Sequence, residues 1–164
     1  IKRVVFPLEG LPWVVMCSSL FHAAISLVVL AAVMLVVMGS LPATWPLFLV
    51  VLLPLLLFVI GFSWALAALG VYLRDLQQTI NIVTAVMMFM SPIFYPATAV
   101  PKDFRWVIDW NPMTFFVEQA RQVLVWGHLP AFAGLAGMTV AGFVVAWLGL
   151  AFFQHARDGF ADVI

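Results

Sequence analysis

GLPWVVMCSSLFHAAISLVVLAAVMLVVMGSLPATWPLFLVVLLPLLLFVIGFSWALAALGVYL, residues 10–73, is 64 residues long and contains no Asp, Glu, Lys or Arg. A helix needs about 20 apolar residues to cross the hydrocarbon of a bilayer, so the stretch holds two spans. Gly39, Ser40, Pro42 and Pro46 interrupt it and divide it into spans at about 11–38 and 46–71. Pro54 lies inside the second and predicts a kink, tolerable where neighbouring helices satisfy the freed carbonyl.

The rest of the 164 residues agrees. The chain is 66% hydrophobic and 9% charged, with a mean hydropathy of +1.18. A soluble domain is nearer half apolar and a quarter charged, so an ordinary globular fold is excluded, and so is disorder. Seven basic residues balance seven acidic ones, so no basic patch suggests nucleic acid. Cys17 alone cannot form an internal disulfide. The chain opens on Ile1, and its apolar run is too long for a signal-peptide core, so the sequence reads as a fragment of a longer integral membrane protein.

Beyond Leu73 the turn Arg74-Asp75-Leu76-Gln77-Gln78 precedes a third span at about 76–95, closed by Pro92 and Pro96. Arg74 and Asp75 would each cost on the order of 3 kcal/mol at mid-bilayer, so this turn belongs at the surface. A fourth span, about 130–153, begins with Pro130 as its first helical residue. Between them, residues 96–129 are too polar to span and too apolar for a free loop. Asn111-Pro112 predicts an N-cap followed by proline at the first helical position. From there Met113, Phe116, Val117, Ala120, Val123 and Leu124 share one face, with Thr114, Glu118, Arg121 and Gln122 opposite. Two short amphipathic helices, about 101–110 and 112–127, are expected at the interface or re-entering the bilayer. Trp13, Trp45, Trp106, Trp110 and Trp126 fall near the boundaries, as interfacial aromatics do. The expected fold is all-α and polytopic, with four transmembrane helices and two short interfacial or re-entrant ones.

Chemistry is sparse. A phosphate loop needs Gly-Lys-Ser/Thr, but Lys2 is followed by Arg3 and Lys102 by Asp103. His22, His128 and His155 have no His or Cys partner at metal-ligand spacing, and no nucleophile–base pair is apparent. Polar stripes are more informative. Gln77, Asn81, Thr84, Met88, Ser91 and Tyr95 follow helical spacing and make one polar face, suited to a polar substrate's pathway or to hydrogen bonding across a helix interface. Ser18, His22 and Ser26 form a shorter stripe. Gly61 with Ala65, and Ala133, Gly137 and Ala141, let helices approach closely, within one subunit or across a dimer seam. Lys2, Arg3, Arg74 and Arg157 lie on one side against Lys102, Arg105 and Arg121 on the other, too even to orient the chain.

Five motifs in register resemble the ABC-2 type permeases of polysaccharide and O-antigen export. They are Ile1-Lys2-Arg3-Val4-Val5-Phe6-Pro7-Leu8-Glu9; Tyr72-Leu73-Arg74-Asp75-Leu76; Ser91-Pro92-Ile93-Phe94-Tyr95-Pro96; Asn111-Pro112-Met113 through Glu118 with Arg121 and Trp126-Gly127; and Phe160-Ala161-Asp162-Val163-Ile164. The resemblance covers the whole chain, with one departure at Leu8, where the family often has a basic residue. It implies that residues 1–164 are the C-terminal part of an ABC-2 transmembrane domain in a bacterial inner membrane. Two earlier spans and an N-terminal interfacial helix would then be missing. Lys2, Arg3, Phe6, Pro7, Glu9, Arg74 and Asp75 would couple to a separate ATPase subunit, which hydrolyses ATP while this chain binds no cofactor. Asn111, Pro112, Phe115, Phe116, Glu118 and Arg121 would form an outer gate, and Gln77, Asn81, Thr84, Ser91 and Tyr95 would be pathway candidates. A second permease copy and a lipid-linked polysaccharide complete the implied assembly. Two other readings stay open at this point: an ABC-2 exporter of teichoic acid, drugs or lipids, and a membrane enzyme acting on a lipid carrier.

Overall fold

The computed structural model describes residues 10–73, 75–95, 99–101, 103, 105–109, 111–157 and 159. Among these, every regular element is helical: α1 (Leu11–Met38), a 3-10 turn (Trp45–Leu47), α2 (Phe48–Tyr72), α3 (Leu76–Met90), α4 (Arg105–Asp109), α5 (Pro112–Arg121), a π-helical turn (Gln122–Trp126) and α6 (Phe132–Arg157). Three stretches are long and apolar enough to cross a membrane: Leu11–Met38, Trp45–Tyr72 and Phe132–Arg157. A spanning segment must satisfy its own backbone hydrogen bonds, which selects the helix.

The first span has the expected bounds, because its end is local chemistry. Gly39 takes the left-handed conformation (φ 74°) and its N–H donates to the Leu35 carbonyl, the geometry glycine adopts without steric cost. The polar stripe on α1 is largely absorbed by the helix itself. The Ser26 hydroxyl donates to the His22 carbonyl and His22 Nδ1 lies 2.9 Å from the Ser18 carbonyl; beside the stripe, the Ser19 hydroxyl donates to the Val15 carbonyl. Pro54 is accommodated inside a continuous α2.

Two expectations are corrected. The third helix stops at Met90: Ser91, which precedes Pro92, is extended (φ −90°, ψ 138°), the conformation that sterics against a following proline favour. The expected stripe therefore ends at Met88: Ser91 and Tyr95 do not continue the helical face of Gln77, Asn81 and Thr84. The last helix starts at Phe132, and Pro130 precedes it. Within the first of the two short helices expected, Arg105–Asp109 is helical, and Lys102, Phe104 and Trp110 lie outside the described residues. Lys2, Arg3, Phe6, Pro7, Glu9, Arg74 and the motif Phe160–Ile164 lie outside the described residues.

The chain divides into two compact units. One comprises Ile1–Leu41, Leu56–Tyr72 and Ala141–Ile164. Its core joins Met16 of α1, Ile60, Trp64 and Ala68 of α2, and Phe153 of α6. The α2 residues are four apart, one per turn, so they line one seam. Trp13 meets Trp64 edge-on at 6.1 Å. Here α2 and α6 touch backbone to backbone: a Cβ on Gly61 would lie 2.7 Å from the Ala146 backbone, and one on Gly149 would run into the Gly61 carbonyl. The spacing of Gly61 signals close approach as the sequence predicts, but its partner is Gly149. Ala133 and Gly137 are exposed instead, and a Cβ at Gly137 would meet nothing within 4 Å.

The other unit comprises Pro42–Leu55 and Leu73–Val140. Val51, Val123 and Leu135 form its buried centre, flanked by Leu47, Phe48 and Phe115. Phe115 lies against Gly134, where a Cβ would be 2.8 Å from its ring.

Candidate functional site

Within the second unit, α5 and its π-helical continuation are held by side chains at both ends and in the middle. At the start, Asn111 is extended (φ −80°, ψ 115°) and its Oδ1 accepts from the Met113 N–H at 3.0 Å. Pro112 follows at the first helical position, where a missing N–H has no partner to lose. The Asn111 amide uses its other end as well: Nδ2 donates to Ser91 Oγ at 3.0 Å, and Ser91 Oγ donates to the Met87 carbonyl at 2.8 Å. Ser91 and Asn111 are 1% and 7% exposed, so these bonds form away from solvent, where an unmade one is costly. Replacing Asn111 with alanine removes both the cap and the Ser91 contact. A loss of about 2 kcal/mol is expected, measurable as a lower thermal midpoint of the purified protein, with Asn111→Asp recovering the cap alone.

At the other end of α5, Arg121 closes a second link to the same segment. One guanidinium nitrogen donates to Glu118 Oε1 at 2.8 Å; another donates to the Pro92 carbonyl at 2.9 Å and approaches that of Ile93 at 3.5 Å. The planar fork of arginine suits two acceptors at once. In the middle, buried Gln119 accepts from the Ala131 N–H at 2.7 Å, satisfying a donor at the start of α6.

The π-helical turn leaves carbonyls at its end, and distant residues supply donors. Thr44 Oγ1 donates to the Val123 carbonyl at 2.6 Å and Trp45 Nε1 to that of Leu124 at 3.0 Å. The Gln122 carbonyl accepts from Gly127 N and, at 2.9 Å, from His128 N. Gly127 is left-handed (φ 68°), the second position where the chain needs glycine.

Ile93, Phe94, Tyr95, Arg121 and Trp126 line an open cleft of about 230 Å³. Tyr95 is fixed by its hydroxyl, which donates to the Phe89 carbonyl at 3.0 Å. Phe94 and Trp126 present most or half of their surface. Such faces stack on other flat or apolar faces, and a guanidinium edge donates to hydroxyl or anionic oxygen.

The structure brings together the six residues expected at an outer gate: Asn111, Pro112, Phe115, Phe116, Glu118 and Arg121 all lie on or cap α5. The helix is less amphipathic in use than in pattern. Thr114 and Gln119 are buried beside Phe116, and the Glu118–Arg121 pair faces Pro92, so both sides of α5 are packed. Of the pathway candidates, Gln77, Asn81 and Thr84 are exposed on α3, Ser91 is buried and Tyr95 half-buried. Asp75 is exposed and sits at the N-cap of α3, with no side-chain cap bond. Sequence reasoning missed Thr44 and Gln119, and read Trp45 as an interfacial aromatic. Nothing near them in sequence marks their partners.

The ABC-2 type transporter family model matches residues 1–125. Over its full length the chain is 25% identical to an O-antigen export system permease protein of Klebsiella pneumoniae, covering 63% of it. It is 26% identical to the protein of the same description from Myxococcus xanthus, covering 64%. A polysialic acid transport protein of Escherichia coli is 24% identical over 98 residues, 60% of this chain and 38% of that one. The chain thus spans a little under two thirds of the length of the first two relatives.

Proposed function

Since the chain belongs to the ABC-2 type transporter family, we propose that it serves as the membrane permease subunit of an ABC exporter, moving a lipid-linked polysaccharide across a bacterial inner membrane. The observation that carries this reading is the similarity, along the whole chain, to two O-antigen export permeases. A separate ATPase subunit supplies the energy. A second copy of the permease completes the path.

In this reading α3 also crosses the membrane, third in chain order. Its 15 helical residues rise about 22 Å, short of the roughly 30 Å of hydrocarbon. Residues 91–95 leave the helix in a turn, with the Ile93 N–H on the Ser91 carbonyl, and irregular backbone at that depth is tolerated where protein covers it. Buried Ser91 and Pro92, braced by Asn111 and Arg121, fit that condition. The turn containing Arg74 and Asp75 and the segment Lys2–Glu9 then face the ATPase, while α5 borders the exit as the outer gate. Gln77, Asn81, Thr84 and the aromatic cleft offer hydrogen-bonding and stacking surfaces to a passing glycan.

Deleting the full-length parent gene tests the reading. Surface polysaccharide is expected to vanish while lipid-linked polymer accumulates inside the cell. Unchanged surface polysaccharide in a strain with no second exporter would sink it, and absence of polymer in both places would point to biosynthesis. In the intact complex, Arg74→Ala with Asp75→Ala is expected to leave assembly unchanged and to break the dependence of export on ATP hydrolysis.

A further inference from the structure

We infer that Tyr72 is a positioning residue that ties the Arg74-Asp75 turn to the end of α6, so that a displacement of the turn is passed to both helices. The inference rests on the reading that this turn faces the ATPase.

Tyr72 is the last residue of α2, two positions before Arg74. Its hydroxyl donates to the Ala156 carbonyl at 2.9 Å. That carbonyl lies in the last turn of α6, where helical carbonyls lack intrahelical donors. It accepts from the Gly159 N–H as well, at 3.1 Å. Gly159 lies directly beneath the phenol: a Cβ there would sit 2.6 Å from the Tyr72 oxygen. The hydroxyl is therefore seated by a donor–acceptor pair and by the absence of a side chain below it.

Upstream, the same two helices are in backbone contact at Gly61 and Gly149, and Trp64, Ala68 and Phe153 fill the seam between the two points. Two fastenings prevent what one would allow, a pivot of α2 about the glycine contact. With Tyr72 in place, the ATPase-side ends of α2 and α6 move together. Without it, the turn can move while α6 stays behind.

The test uses the full-length permease with its ATPase in proteoliposomes, measuring polymer exported per ATP hydrolysed. Tyr72→Phe keeps the ring and deletes the donor. It is expected to lower this ratio by roughly three- to tenfold, the range spanned by one net hydrogen bond, with assembly and hydrolysis retained. Gly159→Ala pushes the hydroxyl off its acceptor from the other side and is expected to reproduce the loss. A Tyr72→Phe complex with the normal ratio overturns the inference. If Arg74→Ala and Asp75→Ala lower the ratio in parallel while Tyr72→Phe does not, the latch alone is wrong. If the turn variants themselves export normally, the reading of the turn is wrong and the latch falls with it.

Discussion

Gly149→Val is expected to separate α2 from α6 and, under the proposed function, to abolish export. At this contact the obstacle to any Cβ is the Gly61 carbonyl, and the reciprocal obstacle at Gly61 is the backbone of Val145 and Ala146. Neither is a side chain that can change rotamer, so the helices themselves must part. Overpacking a core ordinarily costs about 1–3 kcal/mol, and a backbone obstacle places valine at or above the upper end. Parting the helices also loosens the packing of Trp64 and Phe153, and packing is what holds helices together in lipid. The check is the thermal midpoint of the purified permease, followed by tryptophan fluorescence. Gly137→Ala on the same helix is the control, since a Cβ there meets nothing within 4 Å; it is expected to stabilise by up to about 1 kcal/mol through helix propensity. Equal midpoints for Gly149→Val and the parent would refute the close contact.

Arg121→Ala is expected to release the end of α5 from residues 92 and 93. The guanidinium serves Glu118 and the Pro92 carbonyl together, and losing it leaves a carboxylate and a carbonyl without their donor. The paired side chains are 22% and 23% exposed, so water relieves part of the penalty, and a loss of about 2 kcal/mol is expected. The double variant Arg121→Ala/Glu118→Ala removes the stranded charge and is expected to recover part of it. Arg121→Lys places one point charge where a fork held two acceptors and is expected to fall between parent and Arg121→Ala. A cycle in which the losses simply add would show that the pair is not coupled.

These expectations draw on different amounts of sequence information. The bounds of α1 and the Asn111-Pro112 start of α5 follow from chemistry within a few residues: a glycine stop, a capping amide, a proline with no donor to waste. The stripe from Gln77 to Tyr95 fails at its end because helical periodicity does not pass Met90, and the proline after Ser91 disfavours the helical region for that residue. What joins the elements was not legible. Gly61 announces a close approach without naming Gly149, and Trp45 has the composition of an interfacial anchor whether or not its N–H finds Leu124. Such pairings are set by packing between residues roughly 80 positions apart, and local pattern carries no trace of them. The amphipathic pattern of α5 misleads in a milder way, since it sets Thr114 on the polar face and Thr114 is buried.

The bonds that brace α5 end mostly on backbone: the Met87 and Pro92 carbonyls, those of Val123 and Leu124, and the Ala131 amide. Donors such as Thr44, Trp45 and Arg121 are irreplaceable in kind, but their carbonyl acceptors are atoms that every amino acid has, and the Ala131 N–H, which donates to Gln119, is one that every residue but proline has. Ile93, Phe94 and Trp126 line the cleft and lend no side chain to these bonds, so they are expected to be exchangeable for side chains of similar size while the scaffold stays intact. Rigidity and surface chemistry reside in different atoms of the same stretch, so if the chain exports a polymer as proposed, the rim of the cleft is where point substitution would retune its choice.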